Sequence, residues 1–178
     1  IRSEPKNEYM GNRALSTKAS QVAALGTELI AGILSQNSMA CAKHFPGHGD
    51  TLADSHHTLP VLLHHQDFLE KRELVPFAAA ISAEVPMIMI AHLLFPYVDE
   101  SKPTSLSPLF LQTILRKKMG FSGICIVDDL NMDAVAQDFP LEEIVRLGNP
   151  LWDLFLFCEN QHRQMNAFEL LAEEIELG

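Results

Sequence analysis

The sequence predicts an α/β fold built of βα units around a parallel sheet, and three observations carry that reading. Helix-period stretches alternate with short, continuous apolar runs, the pattern of parallel strands rather than of a bundle or a sandwich. The runs stand as far apart as strands joined by helices and functional loops. Ionisable side chains gather just where the runs end. In a (β/α)8 barrel that carboxyl-terminal rim carries the active site, and in an open sheet the site lies at the switch point beyond the same strand ends.

In chain order, a helix is expected over 18–34, then a strand over 39–44, a helix over 66–83 and a strand over 86–92 (PMIMIAH). The helix expected over 108–119 has well-marked ends. Ser107 is an N-cap with Pro108 at the first helical position, and Gly120 stands where a left-handed C-terminal cap belongs. A strand over 124–128 (ICIVD), a helix over 141–147, a strand over 154–158 (LFLFC) and a helix over 161–175 complete the set. All four strands read as buried on both faces. Lys43 and His44 follow the first, His92 the second, and Asp128 with Asp129 the third.

With 178 residues, 47% of them hydrophobic, the chain supports one domain spanning 1–178 with a sizeable core. Its formal charge of −10, from 13 Lys and Arg against 23 Asp and Glu, sets nucleic acid and anionic lipid aside as partners. The longest apolar run, 85–94, is about half of the ~20 residues that span a bilayer, so no membrane segment is expected. Three distant cysteines, Cys41, Cys125 and Cys158, sit in apolar runs and read as core thiols of a cytoplasmic protein.

The most informative stretch runs from Lys43 to His57, with four His, two Asp, one Lys and two Gly directly after a buried strand. Two chemistries can use such a loop. His44, His48, Asp50, Asp54 and His56 are all possible metal ligands, although neither an H-E-x-x-H nor an H-x-H-x-D-H spacing is present. Acid/base catalysis is the other. The Asp-x-His spacing lets Asp54 accept a hydrogen bond from one ring nitrogen of His56 and leaves the other nitrogen to move a proton.

The run K-H-F-P-G-H-G-D-T-x-x-D-S-H, fourteen positions of which twelve are fixed, resembles the signature of glycoside hydrolase family 3 in its NagZ-type β-N-acetylglucosaminidase branch. The resemblance implies that Asp54 and His56 form the general acid/base dyad and that Lys43 and His44 contact sugar hydroxyls. The stretch from Ile114 to Met132 is similar to the helix, glycine and strand that lead to the family's nucleophile, which falls on Asp128. Val127 stands where the family has Ser or Thr, and Asp129 is the rival carboxylate. The stretch from Asn7 to Ser16 resembles the loop whose Arg binds substrate, which assigns Arg13. The segments around His92 and from Pro103 to Ser107 are also family-like, with His92 at the rim rather than in catalysis.

The resemblance implies a retaining glycoside hydrolase that removes terminal β-linked N-acetylglucosamine from a muropeptide or another glycoside, as in peptidoglycan recycling. It needs neither cofactor nor metal. A (β/α)8 TIM-barrel-type domain is implied, present here as about strands five to eight with the N-terminal half missing, so weak stability and little activity are expected of the chain alone. A catalytically inactive remnant or interaction module, an N-acetylglucosaminide phosphorylase and a metal-dependent hydrolase are the alternatives.

Overall fold

The computed structural model describes residues 1–7, 10–52, 55 and 57–177, with Leu177 described in its backbone alone. After a 3-10 turn at Gly11–Arg13, helix α1 (Ala19–Leu34) leads to strand β1 (Cys41–Phe45). The next helical passage consists of α2 (Gln66–Phe68), a π-wound turn (Leu69–Glu73) and α3 (Leu74–Ser82), and β2 (Met87–Ile90) follows it. A second π-wound helix, Leu109–Lys118, precedes β3 (Ile124–Val127). Helices α4 (Asp133–Ala136), α5 (Leu141–Gly148) and α6 (Gln161–Leu177) complete the order. No helix among the described residues is long and apolar enough to cross a membrane.

The strands are parallel and lie side by side in chain order, β1-β2-β3. Because no strand reverses the order, the sheet has no switch-point crevice among the described residues. Its functional end is a continuous rim, as in part of a barrel. β2 and β3 pair in unbroken register from Met87–Ile124 to Ile90–Val127. The β1–β2 register is irregular between Ala42 and Phe45, where the Lys43–His44 and Phe45–Pro46 peptide bonds are cis.

In β2 and β3 alternate residues are fully buried, namely Ile88, Ile90, Cys125 and Val127, while Met87, Met89, Ile124 and Ile126 are half-buried. The expected burial on both faces is therefore complete on one face only. The buried face packs with Phe45, Phe95, Phe110, Leu111, Ile114 and Leu115 into one core. Each such side chain contributes about 1.5–3 kcal/mol by leaving water. Helix ends match the reading of the sequence. Ser107 Oγ accepts the amide of Phe110 at 3.2 Å and donates to Asp99 at 2.6 Å, and Gly120 takes a φ of +73°.

The fourth expected strand is corrected. Of the 154–158 run, Leu154 alone bridges to Ile126, and the carbonyls of Leu154 and Leu156 accept the amides of Val127 and Leu130. The ladder stops where the chain turns after β3: the next amide on that side, Asp129, bonds Asp128 Oδ1 at 2.9 Å, and the Leu156 carbonyl meets Leu130 instead. At the start of the run the Asp153 carboxylate, held by Arg116 at 2.6 Å, takes the Cys125 amide at 2.7 Å. Of the three thiols, Cys125 is buried as expected, but Cys41 is half-buried and Cys158, past the bridge, is exposed. Trp152 lies in the core, whereas Met39 and Met165 are exposed.

Candidate active site at the strand ends

The ends of β1, β2 and β3 deliver Lys43 and His44, His92, and Asp128 with Asp129 to one rim. The Asp128 amide bonds the Ile90 carbonyl at 2.9 Å, which continues the sheet spacing into the site. The two adjacent carboxylates have different surroundings. Asp129 Oδ1 accepts the amides of Asn131 and Cys158, both at 3.1 Å, so it shapes the turn after β3. Among the described residues Asp128 Oδ1 accepts only a local bond, from the Asp129 amide at 2.9 Å, and its Oδ2 faces His44 Nε2 at 3.7 Å.

His44 is 6% exposed, and burial holds its pKa down to about 4, against the attraction of Asp128 and with the help of Lys43, His48 and Arg13. The contact with Asp128 therefore joins a neutral imidazole to a carboxylate at neutral pH, and is no ion pair. Among the described residues His44 Nδ1 is buried without a hydrogen-bond partner, a position suited to a ligand hydroxyl.

His92 is fully buried, which pushes its pKa down despite Asp128 nearby. Its Nε2 lies 3.2 Å from the Asp129 carbonyl, which only accepts, so the proton is assigned to Nε2. Nδ1 then accepts the Ser105 hydroxyl at 2.8 Å. Ser105 in turn offers its carbonyl to the Trp152 indole at 2.7 Å, and Thr104 Oγ1 donates to the Ala91 carbonyl at 2.6 Å. The 103–107 run thus braces the rim from beneath.

The loop after β1 is held at its base by charge. Arg72 grips the Asp50 carboxylate with both terminal guanidinium nitrogens, at 2.9 and 3.2 Å, and His64 Nε2 lies 2.9 Å from Oδ2. Burial pushes the Asp50 carboxyl up, but the nearby Ser3 hydroxyl, the Arg72 guanidinium and His64 outweigh it and hold it below its ordinary value. Arg72 Nε also sits 3.2 Å from buried Glu73, whose carboxyl is raised by burial. Gly47 crosses this carboxylate with φ +142°, and a Cβ there would run into it.

Beside β1 a cavity of about 300 Å³ opens toward α1 and α3. Its walls are mostly apolar, including Val22, Leu29 and Phe77, while Arg13, Lys43, His44 and His48 supply its polar end. Three of the residues expected to bind sugar, Arg13, Lys43 and His44, thus line one space, with Asp128 against His44. Asp54 and His56 lie outside the described residues. Among the described residues no group of three His, Cys, Asp or Glu side chains is arranged to hold a metal ion.

Three residues at the site carry roles that motif reading passes over: Asn7, Ser105 and Glu73. Glu73 left a signal in its spacing, since it shares a buried stripe with Leu69, Phe77 and Ala80 where a charge is out of place.

The family model described as "Glycosyl hydrolase family 3 N terminal domain" matches residues 1–178. A β-hexosaminidase from Thiobacillus denitrificans is 37% identical over 168 residues, covering 94% of this chain and 46% of that protein. The structure of a glycoside hydrolase family 3 β-N-acetylglucosaminidase from a Paenibacillus species superposes with a TM-score of 0.96 at 37% identity, over 100% of this chain and 34% of that one. NagZ from Neisseria gonorrhoeae in complex with N-trifluoroacetyl-D-glucosamine superposes at 0.80 with 32% identity, over 93% of this chain and 46% of that one. The chain spans less than half the length of each of these relatives.

Proposed function

The chain belongs to glycosyl hydrolase family 3, and from that premise we propose that it supplies the nucleophile, the acid/base dyad and much of the sugar-binding surface of a retaining β-N-acetylglucosaminidase. The observation that carries the reading is the carboxylate of Asp128 at the end of β3, 3.7 Å from a neutral His44 that lines a cavity with Arg13 and Lys43. The relatives' names and the N-acylated glucosamine held by the Neisseria protein support N-acetylglucosamine as the sugar.

In this mechanism Asp128 attacks the anomeric carbon as His56, oriented by Asp54, protonates the departing glycosidic oxygen. The carbon–oxygen bond to the aglycone breaks, and a glycosyl ester to Asp128 remains. His56, now neutral, takes a proton from water, whose oxygen attacks the same carbon and frees Asp128. Lys43 donates to sugar hydroxyls, and His44 accepts from one at the unpartnered Nδ1. The occupation of Asp129 by two backbone amides supports Asp128 over its neighbour as nucleophile.

The catalytic unit in this proposal is a whole (β/α)8 barrel, to which these residues contribute about strands five to eight. The substrate class is a muropeptide or another glycoside with a terminal β-linked N-acetylglucosamine. Three unpaired thiols support a reducing compartment, the cytoplasm. The deciding experiment measures hydrolysis of a chromogenic N-acetyl-β-glucosaminide by the 178-residue chain and by a polypeptide extended upstream. Turnover is expected in the longer form and is expected to vanish with Asp128→Ala. Release of N-acetylglucosamine by Asp128→Ala at the wild-type rate would overturn the assignment.

A further inference from the structure

His48 is a buried side chain, 3% exposed, that the mechanism above does not use. Both of its ring nitrogens meet hydroxyls: Nδ1 is 2.9 Å from Thr51 Oγ1, and Nε2 is 3.0 Å from Ser55 Oγ. Thr51 is held in turn by Asn7, whose amide reaches Thr51 Oγ1 at 3.1 Å and the His48 carbonyl at 3.0 Å. Asn7, Thr51 and Ser55 are 3%, 2% and 1% exposed, so the chain of bonds is sealed from water. In such a place each bond is strong and each lost partner is costly. At its other side the His48 ring meets the His44 ring edge to face, with centroids 5.8 Å apart. The Ser55 carbonyl accepts the amide of Ala134 at 3.4 Å.

One imidazole therefore touches both working parts of the loop. Its edge supports His44, which lines the sugar cavity, and its Nε2 holds Ser55, the residue between Asp54 and His56 in the sequence. We propose that His48 is a positioning residue for proton transfer: it fixes Ser55, the residue between Asp54 and His56 in the sequence, relative to His44. Both ring nitrogens are engaged by the Thr51 and Ser55 hydroxyls, so His48 is assigned no proton transfer to substrate. This inference rests on the reading of Asp54 and His56 as the acid/base dyad.

The test uses the catalytically competent full-length protein and compares kcat/KM, which reports the first chemical step, on two N-acetyl-β-glucosaminides. One has an alkyl leaving group that needs protonation, and the other has a 2,4-dinitrophenyl group that departs without it. His56→Ala is the control for the dyad and should slow the alkyl glycoside far more than the dinitrophenyl one. His48→Phe should show the same pattern in milder form, about 10- to 100-fold on the alkyl substrate and less than about 3-fold on the activated one. His48→Gln, which returns a polar group toward Ser55, should recover most of the loss. Ser55→Ala removes the same bond with little change of volume and carries the test if His48→Phe fails to fold. Equal losses on both substrates in these variants, or none, would overturn the positioning role while His56→Ala keeps its selective defect. If His56→Ala shows no such selectivity, the dyad reading fails and the inference falls with it.

Discussion

Acidification should cost this fold stability through His44, and the size of the loss follows from its burial. The folded-state pKa is about 4 against 6.5 for a solvated imidazole. Above pH ~6.5 both states are neutral at this position, so His44 imposes no penalty. Between ~6.5 and ~4 the unfolded chain binds a proton that the folded chain refuses, and stability falls by about 1.4 kcal/mol per pH unit. Below ~4 both states are protonated, and the accumulated loss levels off at about 3 kcal/mol. Burial also depresses His92, in the same direction, so the contribution of His44 is isolated by comparison with His44→Gln, which cannot titrate. Urea denaturation between pH 7.5 and 4, followed by the fluorescence of the single Trp152, which is buried, gives the required curves. The wild-type curve should drop by about 3 kcal/mol more than that of the variant. Parallel curves would refute the depressed pKa. A wild type that gains stability on acidification relative to the variant would show that His44 and Asp128 form a true ion pair.

Gly47→Ala sets a Cβ against the Glu73 carboxylate at a φ of +142°, and should cost about 1–3 kcal/mol in denaturant unfolding while lowering turnover through a displaced loop. Ser107→Ala removes the cap on the Phe110 amide and should cost about 1 kcal/mol in the same assay with kcat/KM unchanged. Incubation of the active enzyme with a chelator should leave hydrolysis of the chromogenic glycoside unchanged, whereas loss and recovery with added metal would favour the metallohydrolase reading.

The three paired strands were legible because continuous apolar runs such as 87–90 and 124–127 have few other readings, and the helix ends were legible where a cap residue has one stereochemical use, as at Ser107 and Gly120. The fourth strand is not legible for a physical reason: 154–158 has the composition of a strand, but the Asp129 amide that would continue the ladder past Val127 turns back to Asp128 Oδ1. Apolar spacing also fails to distinguish α from π winding, since both carry Phe110, Leu111, Ile114 and Leu115 into the core. At the site, the loop signature located Lys43, His44 and their neighbours, yet it held no information on who bonds whom. Asp128 and Asp129 are equivalent as letters and differ only once the turn after β3 engages one of them. The chain Asn7–Thr51–His48–Ser55 joins a residue near the start to a loop more than forty positions later, and no local pattern encodes it.

The central claim, that Asp128 is the nucleophile of a retaining glycosidase, is tested most directly by trapping the glycosyl ester. The active enzyme is treated with a fluorinated N-acetylglucosaminyl fluoride that reacts in the first step and stalls in the second, then digested and sequenced by mass spectrometry. One sugar-labelled peptide is expected, with the label on Asp128. A label on Asp129, or inactivation without any covalent sugar, would contradict it.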